Sequence, residues 1–200
     1  MKPWLIALLA VIAFLVISVG IFIMYSINVN NKMVAMEEEV SEKWSQVENV
    51  YQRRADLIPN LVNTVKGYAE HEKETFTQVI EARSKATSVN IDAANLNAAS
   101  LQQFQQAQDA LSSALSKLMF VVERYPDLKA NQNFLDLQAQ LEGTENRIAN
   151  ERRKFNEVTR VYNTYIRKIP QRFFAGFFGF AEKPYFKATE GAEKAPEVKF

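Results

Sequence analysis

Apolar and polar positions follow different rhythms along this chain. Trp4–Ile27 is uncharged and is interrupted only by Ser18, Gly20 and Ser26. A helix needs about 20 apolar residues to cross a ~30 Å hydrocarbon core, so this run predicts a membrane span. The rival reading is a cleaved signal peptide. The run exceeds the ~7–15-residue apolar core of such peptides, and no small-x-small cleavage site follows before Asn28. Trp4 and Tyr25 stand where interfacial aromatics belong.

After a polar joint at residues 28–32, Met33, Met36, Val40, Trp44, Val47 and Tyr51 recur at spacings of three and four, the seam of an amphipathic helix. The pattern reaches Leu57 and Ile58 and meets Pro59. Proline disfavours α geometry in the residue before it and lacks an N–H, but suits a first helical position. A second helix therefore starts at Pro59, carries Leu61, Val65 and Tyr68 on its seam, and runs to about Ala86. Thr87–Asn95 lacks helical period and reads as a loop. Leu101, Phe104, Gln108, Leu111, Leu115, Leu118, Val122 and Tyr125 then keep a strict 3-4 alternation, which Pro126 ends. Asn131 is placed to N-cap a last long helix. There Phe134, Leu141, Ile148, Phe155, Tyr162 and Ile169 recur at every seventh position; up to Pro170 this helix would be ~58 Å long.

Such seams must be buried against one another, which gives an all-α antiparallel up-and-down bundle behind an N-terminal transmembrane helix. Two topologies are open. A turn at Ile58–Pro59 gives four bundle helices. A mere kink gives three, the first a long rod. Met33, Val40, Val47, Leu61 and Tyr68 share one heptad phase, with Arg54 intervening, which favours the kink. The turn is preferred because a rod leaves Met33–Tyr51 without a partner seam.

Composition narrows the function classes. The formal net charge is +1, so no global field attracts nucleic acid. There are no cysteines, which removes disulfides, thiolate metal sites and cysteine catalysis. With a single histidine, zinc sites and histidine triads lose most of their usual parts. No catalytic, cofactor or metal residues are assigned. His71-Glu72-Lys73-Glu74 lacks the second histidine of a helical zinc motif, and His71, Glu74 and Glu145 alone are a thin ligand set.

Register arithmetic points to two polar groupings. Counting from turns near Leu128 and near Ile91–Asp92 puts His71, Glu74, Gln108, Glu145 and Arg152 at one level, a mid-bundle polar layer that fixes register. A carboxylate catalytic pair is the sharper alternative. Arg53, Arg54, Asp56 and Asn60 fall near Tyr125–Asn131, a turn cluster in which the arginines pair with Asp56 or Asp127 and cap carbonyls; the alternative is an anion or headgroup site. Near the C-terminus, Phe173, Phe174, Phe177 and Phe178 lie on one side of a short helix begun after Pro170, flanked by Arg172 and Lys183. This suits either a membrane-interface patch or a lid on the bundle end. Residues 190–200 read as a polar tail.

The segments RRADLIPNLVNTVKGYAEHEKET, YPDLKANQNFLDLQAQLEGTENRIA, FNEVTRVYNTYI and FFGFAEKPYF occur here in order. Together they resemble the LemA family of bacterial membrane proteins, over essentially the whole chain. The Phe-dense FFAGFFGF departs from that family's milder Ala/Gly/Leu mixture. The resemblance implies a single N-terminal span, a helical bundle, and no established catalytic activity or cofactor; some relatives are linked to membrane or organelle organisation.

The organisation expected is an anchor at 1–30, a LemA-like bundle at 31–170, and a Phe-rich short helix with a polar tail at 171–200. The expected function is a docking or scaffolding module without catalysis. A self-assembling membrane organiser is the alternative, and an enzyme using the mid-bundle carboxylates comes last. The partners expected are the lipid bilayer and a protein or a second copy, with no nucleic acid or small-molecule substrate. The expected location is a bacterial-type inner membrane, with the positive-inside count leaning to the body on the outer face.

Overall fold

The seam that begins at Met33 does not stop at Pro59. In the computed structural model, which describes residues 3–187, helix α1 runs unbroken over Pro3–Lys66 with Pro59 inside it. The turn expected at Ile58–Pro59 is thereby corrected. A proline inside a helix removes one backbone hydrogen bond and crowds the carbonyl four residues back, costing about 3 kcal/mol or more. Here that carbonyl belongs to Ala55. The Arg83 Nε–H donates to the Ala55 oxygen at 2.7 Å, so the acceptor that Pro59 orphans finds a charged donor. Burial favours continuation too: Leu57, Ile58, Leu61, Val62 and Val65 are all buried, and a turn at Pro59 would have broken that row.

The corner comes about two turns later. Tyr68 and Ala69 donate their backbone N–H groups to Val65 O, and Glu72 donates to Ala69 O. Helix α2 (Lys73–Ser88) then returns antiparallel, packed along α3 (Ala98–Val122). Between them, residues 89–97 include a single 3-10 turn at Ala93–Asn95. Asn97 starts α3 with a capping box: its Oδ1 accepts from Ala99 N and Ser100 N, while Ser100 Oγ accepts from Asn97 N. Pro126 opens a one-turn helix, α4 (Pro126–Lys129), instead of only ending α3. Asn131 Oδ1 accepts from Phe134 N at the start of α5 (Gln132–Arg167), as the sequence predicts. The short α6 (Gln171–Phe178) ends at Gly179, whose φ of 83° is the left-handed conformation that glycine adopts without penalty. The described residues contain no strand. The fold is all-α, an apolar N-terminal helix followed by a helical bundle.

The described residues group into two compact units, an anchor unit of residues 3–40 with 160–182 and a bundle unit of 41–159 with 183–187. In the anchor unit, the most apolar window of α1 has none of its residues buried. Val29, Met33, Tyr162 and Ile166 form its interior, and Tyr162 Oη donates to Ala181 O at 3.0 Å. Lys32 Nζ sits 5.0 Å above the Tyr165 ring. Ile169 leaves the heptad pattern and is 77% exposed, because α5 has already ended at Arg167.

The bundle unit has two clusters. One runs from Leu57 to Ala86 and Leu111 to Leu141, joining α1, α2, α3 and α5. The other surrounds Trp44, which is fully buried and meets the rings of Phe104, Phe155 and Phe186 at centroid separations of 5.3, 5.8 and 6.0 Å. Ile91 and Leu96 are buried, and Ile91 O accepts the Trp44 indole N–H at 3.1 Å. The 89–97 connection therefore packs inward beside Trp44 and is not an exposed hairpin tip. Of the expected tail, residues 190–200 lie outside the described residues.

Replacing Arg83 by Met should destabilise the bundle by about 1–3 kcal/mol, the cost of stranding a buried acceptor. Urea unfolding of the full-length protein in detergent, followed by far-ultraviolet circular dichroism, measures this. With Pro59→Ala also present, the residue 59 N–H can serve the same oxygen, so the Arg83→Met loss should shrink markedly. An equal loss in both backgrounds would show that Arg83 acts elsewhere.

Candidate functional site

Arg54 lies on the same heptad phase as Val47 and Leu61, and a long cation on a buried seam must find acceptors inside. Its side chain is 2% exposed. Nη1 donates to Glu145 Oε1 at 2.8 Å and to Ser112 Oγ at 3.0 Å. Nη2 donates to Gln108 Oε1 at 2.6 Å and to Gln108 O at 3.3 Å. The Gln108 amide spends its own N–H on Ala86 O at 3.2 Å. One guanidinium thus ties α1 to α3 and α5, and Gln108 extends the tie to α2. Arg54 Nε has no protein partner, and the Tyr51 ring lies 5.0 Å from Cζ.

A cleft of about 340 Å³ lies over this network, lined by Tyr51, Gln108, Asp109, Ser112, Glu145 and Arg152 among others. It holds carboxylates and cations together, so its field is mixed and favours neither an anion nor a cation. Burial raises the Tyr51 hydroxyl above its ordinary value, opposed by Arg152 and Arg54. Across Gln108, a second cleft of about 250 Å³ is lined by Glu48, Tyr51, Gln52, Ala86 and Asn90 among others. Burial also lifts the Glu48 carboxyl; the polar N–H edge of the nearby Trp44 indole opposes the shift, and Asp92 adds to it.

Of the expected polar layer, Gln108 and Glu145 meet through Arg54, and Arg152 lines the same cleft. His71 and Glu74 are not there. Both are exposed, His71 in the α1–α2 corner and Glu74 in the first turn of α2. The α2 partner of Gln108 is Ala86 because the inward-packed 89–97 connection shifts the register. Among the described residues, no three His, Asp or Glu side chains converge to hold a metal ion.

The expected turn cluster is not assembled, since α1 continues past it. Arg53 Nη2 reaches Gln140 Oε1 at 3.5 Å, Asp56 accepts from Gln52 one turn back at 2.8 Å, Asn60 is exposed, and Asp127 sits exposed in the first turn of α4. Other residues hold that corner: Arg124 Nη2 pairs with Glu72 at 2.9 Å, and Asn131 Nδ2 donates to Tyr68 Oη at 2.9 Å.

Sequence reasoning missed two features and misplaced one, Arg54, which it put in the turn cluster and which instead joins Gln108 and Glu145. Arg83 has no local signature, because its acceptor is 28 positions away. Arg54 did have one, a charged residue on an apolar heptad phase. The other missed feature is the stretch 183–187. Asn156 brackets Phe186 with two hydrogen bonds of 2.9 Å, to its N–H and its carbonyl. Lys187 O accepts from Arg152 at 2.9 Å and Gln105 at 3.1 Å, and the Arg152 guanidinium lies 4.7 Å from the Phe186 ring.

The Phe-rich patch divides. Phe174 contacts Phe22 and Tyr25 at 5.9 and 5.8 Å, while Phe178 stacks on Phe174 at 6.4 Å. Phe173 and Phe177 point outward.

A LemA family profile matches residues 43–200, which spans the whole bundle unit apart from its first turn and includes α6. The chain belongs to the LemA family. Protein LemA of Metamycoplasma hominis is 24% identical over 155 residues, covering 78% of this chain and 67% of the relative. Magnetosome protein MamQ 2 of Paramagnetospirillum magneticum is 28% identical over 190 residues, covering 86% and 70%. Magnetosome protein MamQ of Magnetospirillum gryphiswaldense is 28% identical over 193 residues, covering 88% and 71%. The LemA-family match includes Arg54, Arg83 and Gln108, so the buried network lies within the matched portion.

Arg54→Leu should cost about 2–3 kcal/mol of bundle stability, because Gln108 loses its donor in a buried setting. Glu145→Gln should cost less than about 1 kcal/mol, since that side chain is half exposed. Glu48→Gln is expected to stabilise the protein near neutral pH. The wild-type carboxylate must there be held charged in a burying site, a cost that disappears below its ordinary carboxylate range, where both states are protonated. Urea unfolding across pH 4–8 should show the variant's advantage growing as pH rises; a constant difference would refute the burial argument.

Proposed function

We propose that this LemA-family chain is a single-pass membrane protein whose helical bundle is a docking or scaffolding module without catalysis of its own. The observation that carries the reading is α1: a helix with a mean hydropathy of 3.1 in its most apolar window and no residue of that window buried. Side chains of that kind need lipid around them. The polar interior of the bundle supports a non-catalytic role, because Arg54 spends four hydrogen bonds on three neighbouring side chains and one carbonyl, all of them structural. The cell membrane is the location that fits an apolar span of this length; Lys2 flanks one end of the span, Lys32 and Lys43 follow the other, and of the two orientations we adopt the bundle on the outer face.

A second reading is favoured by the names of two relatives, which are magnetosome proteins. It makes this chain a membrane organiser that works by self-assembly. Exposed apolar side chains such as Phe120, at 73%, would then be contact points between copies.

Light scattering of the full-length protein in detergent separates the two. A monomer is expected for docking, and a defined oligomer would favour self-assembly. A photocrosslinking residue at Phe120, used in native membranes, should give one reproducible adduct with a different protein. Adducts only between copies would overturn the docking reading. Glu145→Gln and Glu151→Gln should leave any phenotype intact where stability is intact; loss of phenotype alone would revive the enzymatic alternative.

A further inference from the structure

Helix α6 presents its most exposed rings on the side away from the protein. Ala175 is 5% exposed and faces inward, whereas Phe173 is 71% and Phe177 83% exposed. At 100° per residue, positions 173 and 177 fall within one narrow sector, nearly opposite Ala175. Arg172 lies to the side of that sector and Gly176 between them. Large aromatic side chains left in water forgo the burial that normally governs their placement.

The inner rings of α6 fix its position along the apolar helix. Phe174 packs on Phe22 and Tyr25, both in the last two turns of the Trp4–Ile27 run. If that run spans a bilayer, its final turns mark the depth at which hydrocarbon gives way to headgroups, where Tyr25 is a suitable aromatic. Phe173 and Phe177 then stand within a side-chain length of the same depth. Basic groups accompany them: Lys168 and Arg172 are exposed, and Lys32 projects over the Tyr165 ring. Arg167 is already engaged with Glu182 at 3.6 Å. Gly179 ends the helix at once in a left-handed turn, so the apolar stretch stays short.

We infer that α6 is a second membrane-contacting element, an interfacial helix that seats Phe173 and Phe177 at the acyl–headgroup boundary of the bilayer crossed by α1, with Lys168 and Arg172 at anionic headgroups. This rests on the reading of Trp4–Ile27 as a span. The occupant is lipid, because the outward rings continue the apolar surface of the span through Phe174, and the flanking charge is basic.

The chain contains no cysteine, so single cysteines introduced at Phe177, Ile12 and Asn133 can each carry one nitroxide spin label. The full-length variants are reconstituted in phosphatidylcholine vesicles with and without phosphatidylglycerol. Collision with oxygen, which concentrates in lipid, is compared with collision with a water-soluble nickel chelate. The label at Ile12 should be in deep lipid and that at Asn133 in water. The label at Phe177 should favour oxygen over nickel severalfold relative to Asn133, more strongly with phosphatidylglycerol present. An aqueous signature at Phe177 with a lipid signature at Ile12 overturns the inference and leaves the span standing. Aqueous signatures at both overturn both. Spin–spin broadening at Phe177 that vanishes on dilution with unlabelled protein would assign the surface to a second copy instead. Charge-reversing Lys168→Glu with Arg172→Glu should abolish the phosphatidylglycerol effect; an unchanged effect removes the headgroup role.

Discussion

The architecture of the bundle depends on one carbonyl oxygen. Ala55 O would be left without a donor by Pro59, and Arg83 supplies one from the neighbouring helix. Because that acceptor is satisfied, α1 remains helical to Lys66 and the corner moves to residues 67–72. Helix α2 is then only as long as the distance from that corner back to Ala86 and Ser88. The connection that follows packs inward and places Ile91 O on the Trp44 indole. With Ala86 so positioned, Gln108 finds its acceptor there and turns its own oxygen to Arg54. A compensation between two side chains on different helices thus propagates into the register of the whole unit.

This explains where the sequence was legible. Seams at 3-4 spacing are determined by neighbours a turn away, and Leu101, Phe104, Gln108, Leu111, Leu115, Leu118 and Val122 are all buried as that pattern predicts. The seven-residue repeat of α5 holds from Phe134 to Tyr162 and fails only at Ile169, past the helix end. The choice at Pro59 could not be read in the same way. Local rules weigh the proline's cost at residues 55–59, but the donor that offsets it lies on the next helix. The expected polar layer failed for a different reason: it was counted from a loop centred near Ile91–Asp92, and because that connection packs inward, Gln108 meets Ala86 while His71 and Glu74 lie exposed near the corner. Arg54 was the visible exception on its seam; its partner could be named only once α3 was in register.

A buried arginine is a poor device for raising stability, since desolvating the guanidinium offsets much of what its hydrogen bonds return, and replacing it together with its polar partners by well-packed apolar side chains often does as well, although removing it alone strands those partners. Arg54 is better understood as a device for choosing among arrangements. Seams built on heptads match nearly as well when one helix slides by seven residues, because one Leu or Phe replaces another. On α3 the positions one heptad either side of Gln108 are Leu101 and Leu115. Sliding α1 by a heptad in either direction would set the guanidinium against leucine, with no carbonyl or amide oxygen to receive it. That mismatch costs several kilocalories per mole for an unpaired buried charge, far more than the apolar contacts differ between registers. The half-exposed Glu145 lets the charge be balanced without burying a second ion completely. Specificity of this kind is what the proposed docking role would draw on, since a surface assembled from four helices keeps its shape only if none of them slides.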